Sequence, residues 1–302
     1  MILTWLKRGV TALSIAATAA FPTLASARTA AAPAARPALW QVSDRDTRIY
    51  LFGTIHLLPA NYGWQSAKLE NAVKQSQQLI VETLLDEKNP AAMIAELQRL
   101  GIRDNLPPLA NRVPPAKRAA LEVAMKGSGV PPAAFNRLET WAAAFLLLGV
   151  QFKSMGLQAG DGVESVLRRS FSAAGKPVGQ LETNAEQLGL FDTLPEAAQR
   201  MLLEGALDKP EAMRGQFNEM LSAWARGDVQ AIARTFNTEM ESSPELIDAL
   251  LARRNANWTG WISRRMQQPG TVLVAVGAGH LAGDKSVLAM LQKGGYKVKR
   301  LQ

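Results

Sequence analysis

Cysteine is absent from the 302-residue chain, and histidine occurs only twice, as His56 and His280. Without cysteine the protein has no disulfide, thiolate metal site, iron–sulfur cluster or cysteine nucleophile. Any acid–base or metal chemistry that uses an imidazole must therefore use one of these two histidines. The composition is otherwise ordinary, with 47% hydrophobic and 20% charged residues, which is typical of a globular protein of one or two domains.

Long basic runs are also lacking, although the formal net charge at pH 7 is +8. Lysine and arginine occur singly or in pairs, so we expect a solvated basic surface and no nucleic-acid partner. The sequence contains no Gly-x-Ser-x-Gly motif, which argues against a serine hydrolase.

The first 27 residues have the order of a secretory signal peptide. Lys7 and Arg8 precede a mainly apolar run at 9–21, and Ala25-Ser26-Ala27 follows as a small-residue cleavage site. The run is shorter than the ~20 apolar residues of a membrane-spanning helix, so we expect cleavage rather than an uncleaved anchor. Residues 28–38 are rich in alanine and proline and suit a flexible leader. The expected mature protein is periplasmic or secreted, without a transmembrane helix.

Short apolar runs near both ends of the chain alternate with helical patterns. The predicted strands cover residues 39–43, 48–53, 78–82, 176–183, 271–276 and 296–301. A helical pattern dominates about 90–174 and 184–268. We therefore predict an α/β fold over 39–302, with a mixed, largely parallel central sheet flanked by helices and a helical insertion at about 90–174.

Each histidine lies three residues after a glycine, in Gly53-Thr54-Ile55-His56 and Gly277-Ala278-Gly279-His280. Both segments follow a predicted strand, and the carboxyl ends of parallel strands line the crevice where α/β proteins bind ligands. Glycine permits the sharp turn or close approach that such a corner needs. We predict that both histidines face one site, although 224 positions separate them. The alternative is two separate histidines, each bonded to backbone carbonyls.

Two other predicted strands end on the acids Glu82 and Glu182. Two imidazoles with one or two carboxylates form a nitrogen and oxygen ligand set that suits Mn, Fe, Co or Zn. Such an ion lowers the pKa of a bound water toward neutrality and makes it a nucleophile. We therefore predict a divalent metal ion bound by His56, Glu82, Glu182 and His280. Each glutamate could instead face solvent or cap a turn.

One basic residue interrupts an apolar helical stripe. Arg254 projects from the stripe that includes Trp258 and Ile262, on a segment that begins near Pro244. Its guanidinium could reach water while the stem packs, or it could brace a site carboxylate or a developing oxyanion. Asn255, near the same face, offers a donor and an acceptor.

Five segments together resemble the TraB/GumN family, which is related to the Tiki proteases. They are GTIH at 53–56, IVE at 80–82, KPVGQLET at 176–183, RRNANW at 253–258 and VAVGAGHLAGDKSVLAMLQKGGYKV at 274–298. The resemblance covers 39–302 and implies a fold like that of erythromycin-esterase-like (EreA) and haem-binding ChaN-like proteins. It also implies an active site formed by His56, Glu82 and His280. For Tiki-like members it implies metal-dependent peptide cleavage with Mn or Co.

The sequence thus predicts a metal-dependent hydrolase, acting on a peptide or small molecule, with His56, Glu82, His280 and Arg254 as catalytic residues. Two alternatives stay open. The chain could be a non-catalytic periplasmic protein that sequesters a peptide, haem or metal. It could also be a metal-free esterase in which His56 is the general base and Glu82 orients it.

Overall fold

The computed structural model describes residues 35–59, 61–84, 90–157, 162–240 and 243–302. The predicted signal peptide and residues 28–34 of the predicted leader lie outside these ranges. Ala35 and Ala38 are buried, and the Arg36 N–H donates to the Ala225 carbonyl over 2.7 Å. The described chain therefore contacts the fold before the first strand. Within the same ranges, no helix has both the length and the apolar character needed to cross a membrane.

A six-stranded sheet forms the centre of the described chain. Its strands are β1 Leu39–Ser43, β2 Thr47–Thr54, β3 Gln78–Val81, β4 Val178–Gln180, β5 Gly270–Gly277 and β6 Val298–Arg300. The strand order is β4-β3-β5-β2-β1-β6. Strands β4, β3, β5 and β2 run parallel, whereas β1 is antiparallel to both β2 and β6. This arrangement confirms the predicted α/β fold with a mixed, largely parallel sheet.

Strand β5 is buried on both faces, as its continuous apolar sequence predicts for an inner parallel strand. Leu273 and Ala275 pack into the core on one face of the sheet. Val272, Val274 and Val276 pack into the core on the other face. Successive side chains of a strand point to opposite faces, so helices must cover both faces of the sheet for this run to be buried.

Helices occupy the segments around the sheet. They are α1 Ala67–Gln75, α2 Pro90–Gly101, α3 Arg118–Gly127, α4 Pro132–Phe135, α5 Thr140–Ser154, α6 Val163–Ala173, α7 Asn184–Asp192, α8 Glu196–Gly205, α9 Pro210–Ala225, α10 Val229–Met240, α11 Pro244–Ile247, α12 Arg253–Arg265 and α13 Val287–Lys293. A π-helical turn, Asp248–Ala252, joins α11 to α12. Helices α2 to α6 lie in the region where the sequence predicts an insertion.

The pairing of β2 with β5 places the two glycine–histidine corners next to each other. Gly53 pairs with Val276 and Thr54 with Gly277, so the two parallel strands end at the same level. A β-carbon at Gly53 would lie 3.1 Å from the Ala278 Cα, which is tighter than ordinary packing. Glycine at this position therefore lets one corner pass closely beside the other.

A buried guanidinium joins two loops of the helical region. Arg112 is 2% exposed and donates to the carbonyls of Pro107, over 2.6 and 2.8 Å, and of Leu138, over 2.6 Å. Burial lowers the pKa of Arg112, a cost offset by these hydrogen bonds. The loops before α3 and before α5 thus depend on one side chain.

Replacing Arg112 by methionine removes the donor and leaves buried carbonyls unpaired. We expect Arg112→Met to lower the free energy of unfolding by on the order of 3 kcal/mol, because each orphaned carbonyl costs about 1 to 3 kcal/mol. Urea unfolding followed by circular dichroism measures the change. The matched control is Arg118→Met, at an exposed position whose guanidinium contacts the Ala110 carbonyl. Equal unfolding midpoints for the two variants would contradict the role of Arg112.

Candidate active site

Three of the residues predicted from the sequence border one space beside Gly277. A β-carbon at Gly277 would lie 3.1 Å from the Glu82 Oε1, 3.6 Å from the His280 Cδ2 and 3.9 Å from the His56 Nε2. We call this space, bordered by His56, Glu82, Gly277 and His280, the Gly277 crevice. It lies where β2, β3 and β5 end, which is the edge of the sheet where α/β proteins bind ligands. A side chain at position 277 would crowd Glu82 there.

Glu82 is a buried carboxylate whose two oxygens have different partners. Its Oε1 accepts the Gly277 N–H over 2.7 Å, and its Oε2 accepts the Arg254 Nη2–H over 2.6 Å. Burial opposes ionisation, but the charges of His280 and Arg254 lower the pKa of Glu82 to about 2. Since His280 is itself neutral near pH 7, the permanent charge of Arg254 keeps Glu82 ionised there.

Arg254 lies between Glu82, Glu182 and His280, and all of its N–H groups donate to acceptors of the protein. Its Nε donates to Glu182 over 3.0 Å, and its Nη2 donates to both Glu82 and Glu182. Its Nη1 donates to the His280 Nε2 over 3.0 Å and to the Leu250 carbonyl over 3.2 Å. Because a guanidinium has five N–H donors, none is left for a substrate oxygen. The geometry favours the carboxylate-bracing alternative over the oxyanion one.

Glu182 and Gln187 complete the surroundings of the guanidinium. The Glu182 N–H donates to the Glu82 carbonyl over 3.0 Å, which fixes the chain just before the α7 N-cap Thr183. The Gln187 amide donates to Glu82 over 3.3 Å and to Glu182 over 3.2 Å. Burial raises the pKa of Glu182, and Arg254 opposes that shift. Glu182 is therefore placed as a partner of Arg254.

His280 is buried and has both ring nitrogens occupied. Arginine can only donate, so the His280 Nε2 must accept from Arg254, and the ring proton lies on Nδ1. That Nδ1 bonds the Asn255 Oδ1 over 2.6 Å, and the Asn255 amide donates to the Lys285 carbonyl over 2.7 Å. Burial lowers the pKa of His280 to about 3. The ring is neutral near pH 7, with its Nε2 held on Arg254.

His56 differs from His280, since 66% of its side chain is exposed. Its Nδ1 lies 2.8 Å from the Glu164 Oε1, and the Thr54 hydroxyl donates to the same oxygen. The Glu164 charge raises the pKa of His56 to about 9. Its Nε2 faces the Gly277 crevice and has no hydrogen-bond partner among the described side chains.

Glu164 is a site residue that was not predicted from the sequence. This residue lies in the first turn of α6, inside the region predicted as a helical insertion, far along the chain from Thr54 and His56. The one local signal is an acid directly after Gly162-Val163, at the start of a helical pattern. First-turn acids are common because they favour the helix dipole, so this signal does not single out a site residue.

The predicted metal ion does not fit the side chains as they are arranged. In the described ranges, no three histidine, aspartate and glutamate side chains are grouped so that they could hold a metal ion. Both Glu82 oxygens accept from Gly277 or Arg254, and the unprotonated nitrogen of His280 accepts from Arg254. A divalent cation on these ligands would also be repelled by the adjacent guanidinium.

Fold and site together define a class: an α/β protein with a polar cluster at the carboxyl ends of parallel strands, built from two G-x-x-H corners, a glutamate and an arginine. The chain belongs to the TraB/PrgY/gumN family, whose model matches residues 38–300. This membership confirms the family resemblance seen in the five sequence segments.

The chain is also similar to individual proteins, one of which is named as a protease. The chain is 26% identical to the uncharacterized protein YbaP of Escherichia coli K12, covering 85% of this chain and 92% of that protein. It is 27% identical to YbaP of Shigella flexneri, covering 80% and 87%. It is also 27% identical to a protein named metalloprotease TIKI homolog from Amphimedon queenslandica, over 45% of this chain and 31% of that protein. No solved structure matches the chain, so the likeness to EreA and ChaN is not confirmed.

Replacing Arg254 by methionine should destabilise the protein far more than the same change at its neighbour. Arg254→Met leaves Glu82 and Glu182 buried without their cation, and we expect a loss of about 3 to 5 kcal/mol in the free energy of unfolding. Arg253→Met is the matched control, since Arg253 is 59% exposed and pairs with the exposed Asp248. Its expected loss is below about 1 kcal/mol. Similar urea midpoints for both variants would contradict the proposed bracing.

Proposed function

We propose that this protein is a hydrolase that cleaves peptide bonds at the Gly277 crevice, with His56 as its general base. One observation carries the proposal: the His56 Nε2 faces the crevice, while its Nδ1 is bonded to Glu164. A ring held at one nitrogen and open at the other has the geometry of a general base. The likeness to the TIKI homolog supports a peptide as the substrate class.

The chemistry needs one water and one carbonyl in the crevice. The His56 Nε2 takes a proton from the water while the water oxygen bonds to the carbonyl carbon. The protonated ring then gives this proton to the leaving nitrogen as the carbon–nitrogen bond breaks, which restores neutral His56. Glu82 stays an anion and stabilises the imidazolium electrostatically, because its charge raises the pKa of His56.

The other cluster residues act through Glu82 in this proposal. Arg254 keeps Glu82 ionised and in place, and the His280 Nε2 accepts a hydrogen bond from the Arg254 Nη1. The metal-free alternative from the sequence assigned Glu82 to orient His56. In the geometry proposed here Glu164 has that position, since both Glu82 oxygens are engaged by Gly277 and Arg254.

We also propose that the mature protein acts outside the cytoplasm, in the periplasm or after secretion. The order of charged, apolar and small residues at 1–27 supports export. The proposed partners are peptides, without nucleic acid.

Removing His56 should slow turnover strongly and leave the fold intact. With a mixed library of fluorogenic peptides, we expect His56→Ala to lower kcat/KM by about 10²- to 10⁴-fold, the usual contribution of a general base. Arg48→Ala is the control, since Arg48 is exposed at the opposite end of the same strand β2. If the unaltered protein binds peptides but cleaves none of them, the result would favour the sequestering alternative instead.

The rate of cleavage should rise with pH. The base form of His56 is the unprotonated ring, and Glu164 raises its pKa to about 9, so the active fraction grows as the pH rises from 7 toward 9. We expect kcat/KM to increase over this interval and then level off. A rate that is flat or falls between these pH values would argue against His56 as the base.

A metal-dependent peptidase is the second candidate, favoured by the name of the TIKI homolog. It would bind Mn, Co, Zn or Fe through His56, Glu82, Glu182 and His280, and it would require Arg254 to give up its bonds to His280 and Glu82.

Metal analysis separates the two candidates. For the base mechanism we expect cleavage to persist after treatment with a chelator, and no equimolar metal in the purified protein. An equimolar ion that disappears in both His56→Ala and His280→Ala, together with loss of cleavage on chelation, would overturn the base mechanism and establish the second candidate. Glu70→Ala, at an exposed position in α1, controls for general effects of removing a side chain.

A further inference from the structure

Glu164 makes its hydrogen bonds to residues of the first glycine–histidine corner. Its Oε1 lies 2.8 Å from the His56 Nδ1 and accepts the hydroxyl proton of Thr54. Thr54 is buried, and the Glu164 side chain is 15% exposed. The carboxylate is therefore largely shielded from water, although the imidazole that it contacts is open to solvent.

The backbone around Glu164 is fastened to the same corner. The Val163 N–H donates to the Ile55 carbonyl over 3.1 Å. A β-carbon at Gly162 would lie 2.0 Å from the His56 carbonyl oxygen, so only glycine permits this approach. The first turn of α6 thus sits directly on the corner, and the position of the carboxylate does not depend on a flexible side chain alone.

Helix α6 is itself anchored in the core of the protein. Val163, Leu167 and Phe171 are buried in the cluster that also contains the β2 residues Tyr50 and Phe52. The helix that carries Glu164 and the strand that precedes His56 therefore share one packed layer. Such packing fixes the distance between the carboxylate and the ring far better than two exposed side chains could.

The hydrogen bond decides which ring nitrogen is available. A carboxylate can only accept, so the His56 Nδ1 must carry the proton, and the lone pair of the neutral ring lies on Nε2, which faces the Gly277 crevice. Without an acceptor at Nδ1, an exposed imidazole would rotate and exchange its proton between the two nitrogens.

We propose that Glu164 is the positioning residue of His56: it fixes the orientation and the tautomer of the ring so that Nε2 faces the Gly277 crevice. This inference rests on the proposed function only for its catalytic consequence. The placement of the ring is a property of the chain that can be measured without any substrate.

The test uses the full chain labelled with ¹⁵N-histidine. With two histidines in the sequence, NMR shows two ring systems, and the buried His280 serves as an internal reference. The variants are Glu164→Ala, which removes the acceptor, and Glu164→Gln, which keeps an acceptor oxygen and removes the charge. Glu211→Ala is the matched control, since Glu211 also lies in the first turn of a helix, α9, and is exposed.

We expect the His56 Nδ1 proton to exchange slowly with water in the unaltered chain, in Glu164→Gln and in Glu211→Ala, and rapidly in Glu164→Ala. The pKa of His56 should fall from about 9 toward its ordinary value of 6.5 in both Glu164 variants and stay unchanged in Glu211→Ala. At a pH above the His56 pKa of about 9, where the ring is unprotonated in all of these proteins, kcat should fall about 100-fold or more in Glu164→Ala and less in Glu164→Gln, while KM changes little in either.

The outcomes separate this inference from the proposed function. Unchanged proton exchange and an unchanged pKa of His56 in Glu164→Ala would overturn the positioning role, whatever the activity. If these spectroscopic changes occur but the unaltered protein cleaves no peptide, the positioning role stands and the proposed function fails. If Glu164→Ala does not fold, Glu164→Gln decides alone, since an unchanged pKa of His56 in that variant contradicts the contact.

Discussion

The Arg254 guanidinium, buried between Glu82, Glu182 and His280, is the interaction on which the Gly277 crevice depends. Two carboxylates and an imidazole at the ends of separate strands could not be buried together unless a cation compensated the negative charge. Arg254 does this with a fixed fork of donors, so it sets the positions of its partners as well as their charge. It thereby keeps Glu82 ionised, and together with burial, the larger effect, it keeps His280 neutral.

This arrangement divides the cluster into a rigid interior and one open group. Glu82, Arg254 and His280 are each less than 10% exposed, and their hydrogen bonds are made to the protein. His56 is exposed and presents a nitrogen that is free to exchange a proton. Because the charged groups beside the accessible base are already fixed in place, they need little reorganisation when charge develops during a reaction.

Much of the fold could be predicted from local pattern. The β1–β2 hairpin, the apolar strand β5 and the two corners that end in His56 and His280 each depend on residues close together in sequence. The partners in the site could not be predicted so well. An apolar stripe interrupted by Arg254 left open whether its guanidinium reaches water or braces a carboxylate, and no spacing shows whether Glu82 or Glu182 is the partner. The structure assigns both. For Glu164 the one local signal, an acid in the first turn of a helix, is too common to indicate a site residue.

The sequence by itself determined the types of secondary structure and the small set of groups available for chemistry, since periodicity, glycine positions and the presence of two histidines are properties of the chain alone. Only the tertiary structure decided which of these groups meet and in what protonation state. Parallel pairing of β2 with β5 aligned the two corners. The packing of the first turn of α6 against the first corner brought Glu164 into contact with His56. Charge and burial then separated two chemically identical imidazoles: the Glu164 carboxylate stabilises the charged form of His56, whereas burial beside Arg254 favours the neutral form of His280.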